Sequence, residues 1–271
     1  MDKFKMICLD IDGTLLNSKH KITSKTKEII HYVSKIKNIP VILVSARMPK
    51  GILFLQKELE IIEPIICYSG SLILDKAQNV IHCNNIDFLS TEVLYNVIQK
   101  DKEIHMSLYK NDDWYIESHD CWSENESKIT NITPTIVDFS NLFHCFRNSE
   151  SGPNKILCMS KDENISKLND KLKNKNYSCL NIYRSKPTYL EIMPNNCSKP
   201  NAINLLSKQL KIGQSEIIAF GDNFNDIDML KFAGVGIAMG NAPEEVKAAA
   251  NAVTASNDED GIYYALKKLI V

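Results

Sequence analysis

"ICLDIDGTLL", residues 7–16, runs apolar up to Asp10, sets a second carboxylate at Asp12 and continues at once into Gly13 and Thr14. With the preceding "FKM" it reads as a strand buried on both faces, because polar and apolar residues scarcely alternate. Aspartate is among the residues least tolerant of unpaired burial, so two of them closing such a strand require partners from elsewhere in the chain.

The neighbouring segments define the setting. From Thr23, a candidate N-cap, Ile29, Ile30, Val33 and Ile36 recur at helical spacing. "IPVILVSAR" (39–47) is a second buried strand, residues 50–59 look helical, and "IEPIICYSGSLI" (62–73) supplies a third strand ending at Ser69 and Gly70. Strands alternating with helices predict a parallel sheet covered on both sides. Near residue 82 the texture changes to short strands rich in flanking Asn, Asp and Lys, "EIHMSLYK", "DWYIES", "NKILCMS" and "YSCLNIYRS", with helices expected around 90–100 and 162–173. At "TYLEIMP" the chain is expected to leave this unit for a helix over 198–210, then "SEIIAFGDNFNDIDML" and the short strand "GVGIAMG". The expected architecture is an α/β, Rossmann-like parallel-sheet core formed by residues 1–82 and 187–271, with an α+β unit inserted at 83–186.

Composition narrows the function. A chain of 271 residues with 44% apolar residues, 24% charged residues and a formal charge of -1 can bury a sizeable core and carries no strong field. Nucleic-acid binding is therefore not expected. Apolar runs such as "IPVILV" are far shorter than a membrane span and the start "MDKFKMICLD" is unlike a signal peptide, so a cytoplasmic, membrane-free protein is expected. Cys8, Cys67, Cys158 and Cys179 lie in apolar strand-like runs and no CxxC pair occurs, which reads as buried thiols rather than disulfides or structural zinc. The loops GxxxxGK[ST], GxGxxG and GxSxG are all absent, which leaves nucleotide and serine-hydrolase chemistry of those types unsupported. Nothing in the mixed-charge pattern predicts an oligomeric state.

Ligands of parallel α/β sheets bind beyond the carboxyl ends of the strands. Collected there are Asp10 and Asp12, Ser45 and Arg47, Ser69 and Gly70, and Asp222, Asn225 and Asp226. Taken singly, such acids are often caps and turn formers. Together they would repel one another unless a hard divalent cation with oxygen ligands neutralised them, and Mg2+ is the natural candidate. His20, His31, His82, His105, His119 and His144 all lie elsewhere, which argues against a zinc-type site. A magnesium ion with open positions suits a phosphate, for which Lys199 could supply positive charge and Ser45 a hydroxyl with adjacent backbone N–H groups.

These segments resemble the haloacid-dehalogenase-like (HAD) phosphatase superfamily, and within it the Cof-type sugar-phosphatase branch with a large α/β cap. "DIDGTL" (10–15) matches the first motif, "VSAR" (44–47) the second, "SKP" (198–200) the third and "GDNFNDIDML" (221–230) the fourth. The resemblance implies Mg-dependent hydrolysis of small phosphorylated metabolites, notably sugar phosphates, through an aspartyl-phosphate. It implies Asp10 as nucleophile and Asp12 as proton carrier. Asp10, Asp222 and the Asp12 carbonyl would be the metal ligands, with Asp226 supporting them. Ser45, Ala46, Lys199 and Asn225 would hold the phosphoryl group, and Arg47, Ser69, Gly70 and Arg184 are candidate substrate contacts. Tyr109, Trp114, Tyr115 and Tyr183 of the cap are candidates for the leaving-group face or for cap packing. The chain departs from the commoner pattern at Ser45 (threonine elsewhere), Ala46 (glycine), Ser69 (asparagine) and Pro200 (glycine). A phosphomutase of the same superfamily and a non-catalytic phosphate-binding or regulatory module are the alternative readings.

Overall fold

The computed structural model describes residues 3–175 and 177–271. In chain order the first part holds β1 (Met6–Leu9), α1 (Ser24–His31), β2 (Val41–Val44), α2 (Lys50–Glu58), β3 (Ile65–Cys67), β4 (Leu72–Leu74) and β5 (Val80–Cys83). The middle holds α3 (Phe88–Ile98), β6 (His105–Lys110), β7 (Asp113–Ile116), α4 (Cys121–Thr130), β8 (Thr135–Ile136), α5 (Phe139–Asn148), β9 (Lys155–Met159), α6 (Asp162–Lys173), β10 (Leu180–Lys186) and β11 (Tyr189–Pro194). The last part holds α7 (Lys199–Gln209), β12 (Ile217–Gly221), α8 (Ile227–Phe232), β13 (Val235–Ala238), α9 (Glu244–Ala249), β14 (Ala252–Val253) and α10 (Gly261–Ile270). The chain divides into two units. One runs to Arg47 and resumes over Ile52–Ile81 and Ser198–Val271; the other comprises Met48–Gly51 and His82–Cys197.

The first unit is built on an eight-stranded sheet of order β14-β13-β12-β1-β2-β3-β4-β5. Strands from β14 to β3 pair in parallel, and β4 returns antiparallel to β3. The residues of β1, β2, β3 and β12 are buried on both faces, as the unalternating apolar runs require, whereas the edge strand β14 is exposed. On one face Met6, Cys8, Ile42, Val44, Ile66 and Ala219 pack with Ala202, Ile203 and Leu206 of α7 and Met229 and Leu230 of α8. Each fully buried aliphatic side chain of this kind contributes about 1.5–3 kcal/mol, and truncating Ile42 to alanine costs about 2–5 kcal/mol. The strand order reverses at β1: β2 follows on one side and β12 lies on the other, which makes the β1/β12 boundary a topological switch point.

The second unit is a six-stranded sheet of order β10-β11-β9-β6-β7-β8, antiparallel except between β7 and β8. Leu94, Val97, Phe139, Phe143, Phe146, Ile165 and Leu168 from α3, α5 and α6 pack on Met106, Leu108, Ile156, Cys158, Leu190 and Ile192. Tyr109 and Trp114 stack within this unit, 5.6 Å between centroids and each at most 5% exposed, so both are packing residues. Tyr115 and Tyr183 are half-buried, and Tyr183 donates to Glu191.

Several expectations change. The return to the first unit comes at Ser198, not 187, because "TYLEIMP" is β11, paired on both sides by β10 and β9. Within the second unit two helices, α4 and α5, add to the two expected there, and at the end of the chain α10 lies outside the expected elements. α5 has a readable signal, Asp138 as N-cap followed by Phe139, Leu142, Phe143 and Phe146 at helical spacing. α4 is nearly all polar and rests on a capping box between Asp120 and Ser123. Cys8, Cys67 and Cys158 are buried thiols as expected, whereas Cys179 is exposed in the turn before β10.

Candidate active site

Asp10 leaves the end of β1, its backbone N–H donating to Phe220 O of β12 at 3.1 Å, so the strand pairing itself sets it at the switch point. Asp10 is buried, 7% exposed. Lys199 is the first residue of α7, whose N-cap Ser198 accepts from Asn201 N and whose Pro200 fits the first turn. The Lys199 side chain, 1% exposed, donates through its ammonium to Asp10 Oδ1 at 2.5 Å and to Asp226 Oδ1 at 2.6 Å. Asp226 is fully buried, and its other oxygen accepts from Asp222 N at 3.1 Å and Asn223 N at 3.0 Å.

Asp222 follows β12 and accepts from Thr14 Oγ1 at 2.8 Å. Gly13, at φ +84°, passes so close that a Cβ there would lie 2.2 Å from Asp222 Oδ2. Only glycine meets both demands, a left-handed turn and a backbone pressed on a carboxylate. Thr14 is a site residue the motif contained but sequence reasoning did not single out. Its hydroxyl has no evident duty until Asp222, 208 positions away, is brought to it.

Across β2, Ser45 is 2% exposed and its Oγ accepts from Arg47 N at 3.2 Å. The turn after β3 staples this segment from behind: Ser69 N donates to Ser45 O at 2.8 Å and Tyr68 N to Arg47 O at 3.1 Å. To do so Tyr68, Ser69 and Gly70 all take positive φ, 49°, 51° and 106°. Two consecutive non-glycine residues in this region store strain of about 1–3 kcal/mol each, a pattern that clusters at functional sites. Ser69 Oγ is buried with no hydrogen-bond partner among the described residues. Ala46 is half-buried and Asn225 is exposed in the single turn Phe224–Asp226.

Two candidate substrate contacts have other partners. Arg47 holds Asp12, Nε at 2.9 Å from Oδ2 and Nη2 at 2.6 Å from Oδ1. Arg184 belongs to the second unit, where its guanidinium donates to Asp162 Oδ1 at 2.5 Å, Ser166 Oγ at 2.8 Å and Pro187 O at 2.6 Å. β10 pairs so that Arg184 stands opposite Leu190, and the side chain serves α6.

Electrostatically the first-unit cluster is unbalanced. One oxygen from each of Asp10, Asp222 and Asp226 falls within 4.8 Å of the others. Burial, with Asp226 and Asp222 adding repulsion, holds the Asp10 carboxyl well above its ordinary value against the pull of Lys199. Burial likewise pushes Asp222 up to about 6, opposed by the Thr14 hydrogen bond. For Lys199 burial acts downward, yet Asp10 and Asp226 outweigh it and the ammonium is held above its ordinary value. Three carboxylates facing one ammonium, with an all-oxygen donor set, fit a hard divalent cation. Both Asp226 oxygens are already taken, whereas no hydrogen bond among the described residues reaches Asp10 Oδ2 or Asp222 Oδ2. Asp10 and Asp222 therefore keep an oxygen each for an ion, and Asp226 braces the loop that presents Asp222.

Residues 7–266 match the haloacid dehalogenase-like hydrolase family. A Haemophilus influenzae protein provisionally named a phosphatase is 35% identical over 266 residues, 98% of each chain. A Bacillus subtilis phosphatase is 28% identical over 290 residues, spanning 98% of this chain and all of its own. Among solved structures, a haloacid dehalogenase-like hydrolase from Bacteroides thetaiotaomicron superposes with a TM-score of 0.89 at 29% identity, covering 98% of this chain and 100% of its own. No helix among the described residues is long and apolar enough to cross a membrane.

Proposed function

Because this chain belongs to the haloacid dehalogenase-like hydrolase family, matched over residues 7–266, we propose that it is a magnesium-dependent phosphomonoesterase acting on small phosphorylated metabolites, sugar phosphates first among them. The observation that carries this is the convergence of Asp10, Lys199, Asp222 and Asp226, from segments far apart in sequence, in one cluster past the end of β1, with Ser45 just past the end of the neighbouring strand β2.

The Asp10 carboxylate attacks phosphorus, the bond from phosphorus to the ester oxygen breaks, and Asp12 delivers a proton to the departing alcohol oxygen. Asp12 then takes a proton from the water that attacks the aspartyl-phosphate, releasing inorganic phosphate and restoring Asp10. Lys199 fixes the nucleophile's carboxylate through Oδ1 and leaves the other oxygen unencumbered. Ser45 and the backbone at Ala46 receive the phosphoryl oxygens, with Asn225 nearby in the chain's fourth motif and Ser69 Oγ as a further candidate donor. Asp10 and Asp222 side chains and the Asp12 carbonyl would hold Mg2+, supported by Asp226. That ion, when bound, supplies charge neutralisation for the phosphoryl oxygens. The inserted unit, residues 82–197, is assigned the choice of leaving group, on the family likeness.

Release of inorganic phosphate from a panel of sugar phosphates, nucleotides and pyridoxal phosphate, in purified protein with magnesium, tests the proposal. Asp10→Asn is expected to abolish release while circular dichroism and the melting temperature stay near the parent's. Substantial residual turnover in that variant would remove Asp10 from the nucleophile's role. An isomerised product without free phosphate would identify a mutase instead.

A further inference from the structure

The segment that follows the nucleophile strand is held from outside by side chains from the far end of the chain. Asn241 Nδ2 donates to Gly13 O at 2.9 Å, and its Oδ1 accepts from Asn257 N at 3.0 Å. Asn257 Nδ2 in turn donates to Leu16 O at 2.8 Å. The partners leave no ambiguity in the orientation of the Asn241 amide, since a carbonyl only accepts and a backbone N–H only donates. Just beyond, Ser18 N donates to Asp258 Oδ1 at 2.9 Å and Thr23 Oγ1 to Asp260 Oδ1 at 2.6 Å.

The inner side of the same four residues is the site. Thr14 Oγ1 reaches Asp222 and Gly13 presses on its carboxylate. Internally the turn has Leu16 N on Ile11 O at 2.9 Å, a long Thr14 N to Ile11 O contact at 3.4 Å and Leu15 N to Asp10 O at 3.3 Å. Carbonyls of Gly13 and Leu16 are thus fixed by the two asparagines while the turn's own bonds are mostly long. Among the described residues neither asparagine hydrogen-bonds a carboxylate of the cluster; each contacts the main chain of the turn.

We propose that Asn241 and Asn257 are positioning residues, a two-amide clamp that sets the Gly13–Leu16 turn and through it the Thr14–Asp222 contact and the site's affinity for a divalent cation. This rests on the metal-dependent reading given above. Residues that act on a metal site through its ligands change metal affinity by about 10-fold or more when removed.

The test uses the full chain with Asn241→Ala, Asn257→Ala and Asn241→Asp, the last of which keeps the acceptor for Asn257 but replaces the donor facing Gly13 O. Direct Mn2+ titration is expected to show Kd raised about 10-fold in each. Asn241→Ala combined with Thr14→Val should be markedly less than additive, because both act on one contact. Hydrogen–deuterium exchange should quicken in residues 11–16 and stay unchanged in β2. Parent-like Mn2+ affinity with parent-like exchange in 11–16, or exchange quickened throughout the chain, would overturn the clamp. A parent protein that binds no Mn2+ would instead overturn the metal reading, and exchange in 11–16 would still decide whether the clamp holds the turn.

Discussion

Arg47 grips Asp12 at two points, with Nε and Nη2 each on a separate carboxylate oxygen at 2.9 and 2.6 Å. The Asp12 side chain is 55% exposed, so the pair adds little to stability, about 0–1 kcal/mol by the behaviour of exposed ion pairs. What the fork does is fix the direction of the carboxylate assigned to proton transfer. Lysine keeps the charge but cannot make the planar two-point contact. Arg47→Lys is expected to lower kcat about 10- to 100-fold with an unchanged melting temperature, as misplacement of a general acid–base group does. Steady-state kinetics beside thermal denaturation checks this; a rise in KM alone would return Arg47 to substrate contact.

Lys199 is the counter-charge of the buried cluster, 1% exposed between Asp10 and Asp226. Lys199→Met leaves two buried carboxylates without it and is expected to cost about 3–5 kcal/mol, the usual penalty of breaking a buried pair. Urea denaturation measures this. Saturating magnesium should recover part of the loss, since a dication among the same carboxylates takes over some of the neutralisation.

Gly13→Ala places a methyl group 2.2 Å from Asp222 Oδ2 and forces alanine to φ +84°. The turn must move away from Asp222. Magnesium-dependent phosphate release should fall steeply, with a stability loss of only about 1–3 kcal/mol, the scale of one strained residue. Activity and melting temperature measured on the same preparation separate the two effects.

The carboxyl shifts give a pH dependence with a definite sign. Asp222 is raised from 3.8 to about 6 and Asp10 is raised as well. An acid raised in the folded state binds its proton more tightly there than when unfolded, so without metal its contribution to stability falls as pH climbs from 3.8 toward 6. A divalent cation binds the ionised carboxylates and must displace their protons wherever the pH is below about 6. The gain in melting temperature on adding magnesium should therefore be small at pH 5 and larger at pH 7.5, and a gain independent of pH would contradict the assignment of these groups.

The positions of Asp10, Asp12, Ser45, Lys199 and Asp222 can be read from the local pattern because each lies just past an apolar run or at the start of a helix, and the structure brings Asp10, Lys199 and Asp222 into one cluster with Asp226. The insertion was legible from the change of texture near residue 82, and its far boundary was not. "TYLEIMP" is an apolar run like many others, and only its pairing with β9 and β10 assigns it to the second unit. Cys179 illustrates the same limit: it lies beside an apolar run, but the strand starts one residue later and leaves it in solvent.

By itself the sequence determined the alternation of strand and helix and the oxygen-bearing residue types offered at the strand ends, because these follow from periodicity, capping and side-chain chemistry within a few residues. Tertiary structure alone decided the pairings. Lys199 bridges Asp10 and Asp226, Arg47 turns to Asp12 instead of standing free, Arg184 is spent on α6, and Asn241 reaches back 228 positions to Gly13. Hydrogen-bond partners so distant in sequence are chosen by strand order and register, which no local pattern encodes, and it is those partners that separate a carboxylate free for an ion from one that braces it.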